Sequence, residues 1–561
     1  MSSIELKDIY KEQFIHTAFF KSAEFFGDKI LFGDKGGKGK HYTYAEVSNY
    51  VQDLSAGIRQ KYGDGAAEIG LISENRPEWG IAYLAILAAG KTVIPIDANL
   101  TRTEIKFIIE NSKLSIIFAS QKFELLLKEI SCDLIVISLE ESSPDSWMKM
   151  LVVGNQELSL NLNLNLNLNQ TAVLIYTSGT TGIPKAVELT HKNLLANLEA
   201  ISKSIYFDHN DTFLSILPLH HTFEATCGFL TPIMSGAKIV YARSYKSNEI
   251  REDLKYNRAT VMTGVPLLYE KFYHTIRKRI LSTSIIKRAL FHILYFISSN
   301  LWKMNIKVGG LLFKSMRDKG GLGSIRMFVS GGAAIPPSIV KFFNIIGISF
   351  LQGYGMTEAS PVISVNRIED LRFGSVGPLV EGVEVKIENP DDTGIGEIFV
   401  KGDNITPGYR NNPKATAELF SGEWMKTGDL GCLKDGHLWI TGRSKSLIIS
   451  AAGKNIYPEE LEEKLLEDIL VMETVVFGRI KEGKQGEEVR ALIVPDMEVM
   501  VSEHAISKTN PDMIKIRSVI KTVIDSINSQ VAAYKRISAF DVQFEELEKT
   551  SKKSIRRFLY K

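Results

Sequence analysis

Residues 176–191 read YTSGTTGIPKAVELTH, and the reading of this stretch decides the rest. It grows out of TAVLIYTSG (171–179), an apolar and β-branched run of strand character. Thr177, Ser178, Gly179, Thr180, Thr181 and Gly182 then follow without one large side chain. Small hydroxylic residues and glycines let backbone amides approach phosphate oxygens, and Lys185 adds positive charge just beyond them. A phosphate-cradling loop hung on a strand is the expectation. Its spacing, GTTGxPK, is not that of a Walker loop, GxxxxGK followed by Ser or Thr. The alternative, a plain Gly/Thr turn between strands, does not call for so specific a composition.

Outward from this loop, apolar strands and amphipathic helices alternate from about residue 40. EIGLISENRPEWGIAYLAILAAGKTVIPID (68–97) reads as strand, turn, helix, small-residue turn and strand, and KLSIIFAS (113–120) and CDLIVISL (132–139) add short β-rich runs. Such runs, bounded by Gly, Pro and Asn, point to parallel sheets covered by helices, an α/β protein. At 561 residues and 44% hydrophobic content the chain is too long for one simple core. Beyond TGRSKS (441–446) the texture changes to a smaller unit: the helix YPEELEEKLLE, the strands TVVFGRI and VRALIVP, and a charged helix. We expect a large domain over 1–442, a small one over 443–561, and a junction at Gly442, Arg443, Ser444 and Lys445. One segment breaks the pattern. SLNLNLNLNLNQ (159–170) alternates with a strict period of two and reads as a linker or edge strand, β-prone, uncharged and free of proline.

The formal charge of +2 argues against a protein that coats nucleic acid. Cys132, Cys227 and Cys432 offer neither a disulfide framework nor CxxC spacing, and read as small core residues of a reducing compartment. MSSIELKDIYKEQF lacks the charged and apolar regions of a signal peptide, so the expected location is cytoplasmic. Charge is nonetheless concentrated locally. From Lys271 to Lys319 eleven Lys and Arg face one acid, Asp318, interleaved with Phe272, Tyr273, Phe291, Tyr295, Phe296, Trp302 and Phe313. That composition suits a surface resting on anionic lipid headgroups, a peripheral contact at the inner membrane face. A nucleic-acid patch and a solvated helical face with no partner are the alternatives. The most apolar run there, ALFHILYFISS (289–299), is too short to span a bilayer.

Further motifs follow the loop in order: SGGAAIPP (330–337), LQGYGMTEAS (351–360), KTGDLG (426–431) and TGRSKSLIISAAGKNIYPEELE (441–462). Together they resemble the signature of the AMP-forming adenylating enzymes, the superfamily of acyl-CoA synthetases, peptide-synthetase adenylation domains and luciferases. The resemblance covers nearly the whole chain. It implies a large N-terminal domain of parallel-rich sheets flanked by helices, with a β-rich subdomain, and a small mobile C-terminal α+β domain. It also implies ATP, Mg²⁺ and coenzyme A. Gly331, Gly332 and Ala333 would form the adenine-side loop, and Tyr354, Gly355 and Met356 the loop at adenine and the α-phosphate. Thr357 would touch the α-phosphate, and Glu358 and Thr181 would hold magnesium. Asp429 would accept from the ribose hydroxyls with Arg443 beside it. Lys445 would be the hinge, and Gly453 and Lys454 would face the CoA tunnel, with Ala452 where a second glycine is common. Each role suits a carboxylate attacking the α-phosphate of ATP, because charge must be neutralised on both nucleophile and polyphosphate.

LPLHHTFEATCGFL (217–230) falls where the superfamily lines its acyl site. His221 is the site residue by register, His220 is a packed neighbour, and neither has metal-ligand spacing. LPLHHTFE and LQGYGMTEASPVIS resemble the long-chain fatty acid–CoA ligase branch, which implies a long-chain fatty acid substrate. An acyl carrier protein in place of CoA, or a lipid- or nucleotide-binding protein that lost activity, are the rival readings. The C-terminal LEKTSKKSIRRFLYK (547–561) resembles the segment whose lysine enters the active site during adenylation. Leu547, Lys549, Thr550, Ile555 and Arg556 fall in register, Glu548 stands where proline is usual, and the lysine position is Ser554. A serine cannot supply that charge. Either Lys553, one residue away, replaces it by a local shift, or adenylation is impaired.

Overall fold

A computed structural model of the chain describes residues 8–63, 67–152, 167–177, 184–450, 454–480, 486–507, 511–549, 555 and 557–560. Among them, six strands form a first sheet in the order Ile135–Ser138, Ile116–Ala119, Glu68–Ile72, Thr92–Ile96, Thr171–Thr177, Lys185–Thr190. The first five are parallel, and Lys185–Thr190 closes the edge antiparallel. A second sheet of eight runs Val362–Val365, Ser349–Gly355, Met327–Ser330, Val261–Gly264, Thr212–Ser215, Lys238–Tyr241, Ile30–Gly33, His41–Thr43. Its interior pairs are parallel and both edge pairs antiparallel. Strands such as IIFA and TVIPI carry no alternation because helices cover both faces.

The helix Pro77–Ala88 shows how the two sheets join. Apart from Glu78 all its residues are buried, as a helix apolar all round must be. It lies against Glu68–Ile72 and Thr92–Ile96 of the first sheet. On its other side Gly80 meets the second: a Cβ there would come within 2.8 Å of both Phe32 and Phe229. Trp79 and Tyr83 pack edge-on to Phe229 beside it. Each such large side chain contributes roughly 1.5–3 kcal/mol by leaving water.

The β-rich subdomain is antiparallel and built from Val383–Glu388, Gly396–Gly402, Trp424–Lys434, Phe420–Ser421 and His437–Arg443. After a short 3₁₀ turn, Ser444–Ser446, come the hairpin Ile448–Ile449/Asn455–Ile456 and the three strands Val471–Ile480, Glu487–Pro495 and Ala539–Val542. The helices Pro458–Leu466 and Met513–Gln530 bury Leu461, Leu465, Ile516 and Ile520 in a core of their own. The architecture is thus α/β, with mixed sheets and a separate C-terminal β-rich region.

Two local expectations need comment. Cys227 is buried, but Cys132 is exposed in the turn between the helix Gln121–Ile130 and the strand Ile135–Ser138, and so is not a core residue. The Leu/Asn repeat lies outside the described residues up to 166, and its last residues form a turn. No described helix is long and apolar enough to cross a membrane.

Candidate active site

Thr171–Thr177 and Lys185–Thr190 form a hairpin in which Thr177 stands opposite Lys185, so the glycine- and threonine-rich loop is carried at its tip. Ser178, Gly179, Thr180, Thr181 and Gly182 lie outside the described residues, as do Gly453, Lys553 and Ser554. Lys185 extends over the ring of Tyr409, with Nζ 5.0 Å from the centroid, a cation–π contact. The Tyr409 hydroxyl donates to Glu358 Oε1 at 2.8 Å. Burial, then the Glu358 charge, push that phenol well above its usual range, so it remains a donor. Lysine, tyrosine and carboxylate therefore form one line of contacts.

Residues 404–410 hold that line in place. Thr406 N donates to the Glu358 carbonyl at 2.8 Å, Glu188 N to Gly408 O at 3.1 Å and Arg410 N to Ala186 O at 2.9 Å. Thr190 and Asn193 cap the helix His191–Ser204 reciprocally. The Asn193 amide then donates to the carbonyls of Asp403 and Ile405, each at 2.8 Å. The hairpin and the turn Thr357–Ala359 are thus fastened to the same segment. Thr357 and Glu358 are buried there, just past the strand Ser349–Gly355. A side chain at Gly355 would collide with the Pro361 carbonyl, which explains glycine at that expected site position. Tyr409 was not legible as a site residue, because its role comes only from these tertiary pairings.

Asp429 faces Arg443 across the pair Trp424–Lys434 and His437–Arg443. Arg443 Nε lies 3.2 Å from Asp429 Oδ1, and the Tyr354 hydroxyl donates to Oδ2 at 2.7 Å. Burial raises the Asp429 carboxyl above its usual range, with Arg443 and Tyr354 opposing. The Glu358 charge raises it slightly further. A carboxylate of this kind is a strong acceptor for a pair of hydroxyls. The loop after Met327–Ser330 carries Gly331, Gly332 and Ala333. Gly332 takes φ 84°, a conformation that favours glycine, while Ala333 is exposed and a Cβ at Gly331 would meet Phe223 at 3.1 Å. Lys445 is exposed in the Ser444–Ser446 turn, and Lys454 is exposed where the loop of its hairpin returns to the strand Asn455–Ile456, donating through N to Ser450 Oγ at 3.0 Å.

Phe223 leads into a π-helical stretch, Glu224–Leu230, an uncommon form often met at functional sites. His220 is buried with Nε2 3.3 Å from Asp97 Oδ2, and the rings of His220 and His221 are 4.0 Å apart. Asp97, His220 and His221 bring their ligand atoms within 4.8 Å of one another. The two adjacent histidines lack metal-ligand spacing in the sequence, and the third member of this group comes from the end of a distant strand. Burial raises the Asp97 carboxyl, but the close approach of His220 outweighs it and holds it well below the usual range.

Glu224 is a further residue the sequence did not single out. It is fully buried, accepting from Ser215 Oγ at 2.6 Å and Thr263 Oγ1 at 2.7 Å. Burial pushes its carboxyl up to about 7, with both hydroxyls opposing. The folded chain therefore binds this proton more tightly than the unfolded one, so stability falls as pH rises from about 4.5 through about 7. Glu224→Gln, which keeps the shape without the charge, is expected to be more stable than wild type at pH 8 by about 3 kcal/mol and equal to it near pH 4. Denaturant unfolding at the two pH values measures this.

The described part of the C-terminal segment is docked. Lys549 pairs with Glu473 and, at 3.2 Å, with Glu546, while Leu547 N donates to Glu473 Oε2 at 2.9 Å. Arg557 Nη1 donates to Glu462 Oε1 at 2.7 Å and to the Val476 carbonyl at 3.2 Å, and Nη2 lies 3.3 Å from Glu459. Glu459 in turn lies against Gly442, one residue before Arg443. Through Glu459, Arg557 is thus linked to the strand that carries the Asp429 partner.

The sequence profile described as AMP-binding enzyme matches residues 19–410, and that described as AMP-binding enzyme C-terminal domain matches residues 445–560. The chain is 29% identical over 465 residues to the long-chain-fatty-acid–CoA ligase FadD15 of Mycobacterium bovis, covering 78% of this chain and 75% of that one. It is 26% identical over 559 residues to the chloroplastic long-chain-fatty-acid–acyl-carrier-protein ligase AEE15 of Arabidopsis thaliana, covering 85% and 75%. In fold it is similar to the anthranilate CoA ligase AuaEII in complex with anthranoyl-AMP, with a TM-score of 0.76 at 21% identity over 98% of this chain and 96% of that one.

Proposed function

Because the chain belongs to the family of AMP-binding enzymes, we propose that it is an ATP-dependent ligase that activates a long-chain fatty acid as acyl-adenylate and transfers it to coenzyme A. The single observation that carries this reading is the chain of contacts from Lys185 through Tyr409 to Glu358, with the Tyr354–Asp429–Arg443 group within electrostatic reach of Glu358. One side offers charges suited to a polyphosphate, the other a carboxylate suited to a ribose. The substrate class rests on the relatives named above.

In this reading Asp429 accepts the ribose hydroxyls, and Gly331, Gly332, Ala333 and Tyr354 bound the adenine. Lys185 and Thr357 meet the phosphates while the fatty acid carboxylate attacks the α-phosphorus and pyrophosphate leaves. The donor set fits a hard cation, since Glu358 is a carboxylate fixed by Tyr409 at one oxygen, with Thr181 as the second ligand by resemblance. Magnesium held there would supply charge neutralisation at the polyphosphate. His221 lies on the acyl side. Residues 443–561 form a lid turning about Lys445 between the half-reactions, bringing Lys454 and Gly453 to the CoA thiol, which attacks the acyl carbon and releases AMP. Contacts between the two parts include polar ones, Tyr457 OH donating to Asp391 at 3.1 Å and Lys278 pairing with Glu498, as suits surfaces that exchange partners. We place the protein in the cytoplasm.

Fatty-acid-dependent pyrophosphate release, screened over carboxylic acids from C2 to C20, tests the reading; release that ignores the acid would sink it. The relative AEE15 favours one second reading, transfer to the phosphopantetheine of an acyl carrier protein. Supplying CoA or carrier protein as sole acceptor separates the two by which thioester forms. Ser554→Lys is expected to raise pyrophosphate release about tenfold by restoring the adenylation cation. An unchanged rate would mean that Lys553 or another group already supplies that charge.

A further inference from the structure

The helix Ile285–Lys303 has two apolar faces, and only one of them is covered. Phe291, Leu294 and Tyr295 pack on the core around Phe328 and Phe342, the Ser298 hydroxyl donates to the Ile345 carbonyl at 2.7 Å, and Trp302 stacks on Phe373 at 4.9 Å. On the opposite side Ile285, Ile286, Leu290, Ile293 and Phe296 are 76, 81, 52, 57 and 69% exposed, and Met304 extends the strip at 69%. Spacings of three and four put these side chains on one face over roughly 25 Å of helix. Single exposed apolar residues are ordinary on a surface, but a continuous strip of them marks a contact.

The charges around the strip select its occupant. Lys287 and Lys303 sit near its two ends, both exposed, within a tract of eleven cations and one acid from Lys271 to Lys319. A second copy meeting this face with its own would bring the same cations together, which repulsion opposes. A nucleic acid would match the charge and leave the isoleucines in water. A bilayer with anionic headgroups matches both features, and no described helix is long and apolar enough to cross it. We propose that this face docks the protein in the plane of an anionic lipid surface, the apolar strip entering the headgroup and acyl boundary with the lysines over the headgroups. The inference deepens the proposed function, because a long-chain fatty acid resides in such a surface, yet its test needs no catalysis.

The full-length protein is sedimented with vesicles of phosphatidylcholine alone or with about a quarter phosphatidylglycerol. Binding to the anionic vesicles is expected to exceed binding to the neutral ones by about tenfold and to weaken at high salt. Ile286→Asp combined with Phe296→Asp is expected to cut it by about tenfold or more with an unchanged unfolding midpoint. Lys287→Glu with Lys303→Glu, which leaves every apolar contact in place, is expected to abolish the preference for anionic lipid. Wild-type protein that ignores anionic vesicles, or variants that bind as wild type does, would overturn the proposal. So would a wild-type dimer that the aspartates split, which would assign the strip to a second copy. Failure of the pyrophosphate assay with vesicle binding intact would count against the ligase reading alone.

Discussion

Glu358→Gln is expected to lower fatty-acid-dependent pyrophosphate release by about 10²–10³-fold. The substitution is isosteric, and the amide oxygen can still accept from Tyr409, so the line from Lys185 to position 358 is kept. The backbone bond from Thr406 does not involve the side chain. What disappears is one negative charge beside the position where the polyphosphate would be neutralised, and an amide is a poor ligand for a hard cation. Thioester formation from supplied acyl-adenylate, which has lost its polyphosphate, is expected to be much less affected. Tyr409→Phe provides the scale, because it removes the hydrogen bond, leaves the ring under Lys185, and should cost about tenfold. Equal activity of Glu358→Gln and wild type would remove this carboxylate from the mechanism.

Arg557→Met is expected to destabilise the C-terminal region by about 3–5 kcal/mol, the cost of leaving a buried charge without its partner. Glu462 is buried, and its Oε1 also accepts from Val476 N at 2.6 Å. Burial pushes that carboxyl up to about 7 even with Arg557 beside it. Without the guanidinium the folded value rises further, so Glu462 carries its proton through neutral pH. The loss relative to wild type is therefore largest above pH 7 and shrinks as pH falls through about 7, where the wild-type carboxyl takes up its own proton. Hydrogen exchange in Pro458–Leu466 and Val471–Ile480 at pH 8 and pH 5 reads both the size and the sign. Adding Glu462→Gln should recover part of the loss at pH 8, which simple loss of packing would not allow.

Much of this architecture is written in short stretches. The alternation of IIFA-type strands with helices, the Thr43, Thr101 and Thr190 caps and the hairpin bearing the glycine–threonine loop all depend on residues within a few positions of one another. So do the order of the motifs and the positions of Lys185, Glu358, Asp429 and Arg443, because each is flagged by its immediate neighbours. That is why the α/β class and most of the candidate site could be read before any tertiary contact was known.

Other features have no local signature. Tyr409 reaches Glu358 across 51 positions, Arg410 reaches Glu68 across 342, and Asp97 joins His220 from the end of another strand. The helix Ile285–Lys303 is apolar on both sides, so no periodicity could tell its covered face from its open one. The sequence by itself determined the secondary structure and the chemical inventory, because both follow from local sterics and residue type. The tertiary structure alone decided which charges are buried together and which apolar surface stays open, because desolvation and contact depend on what the rest of the chain places there.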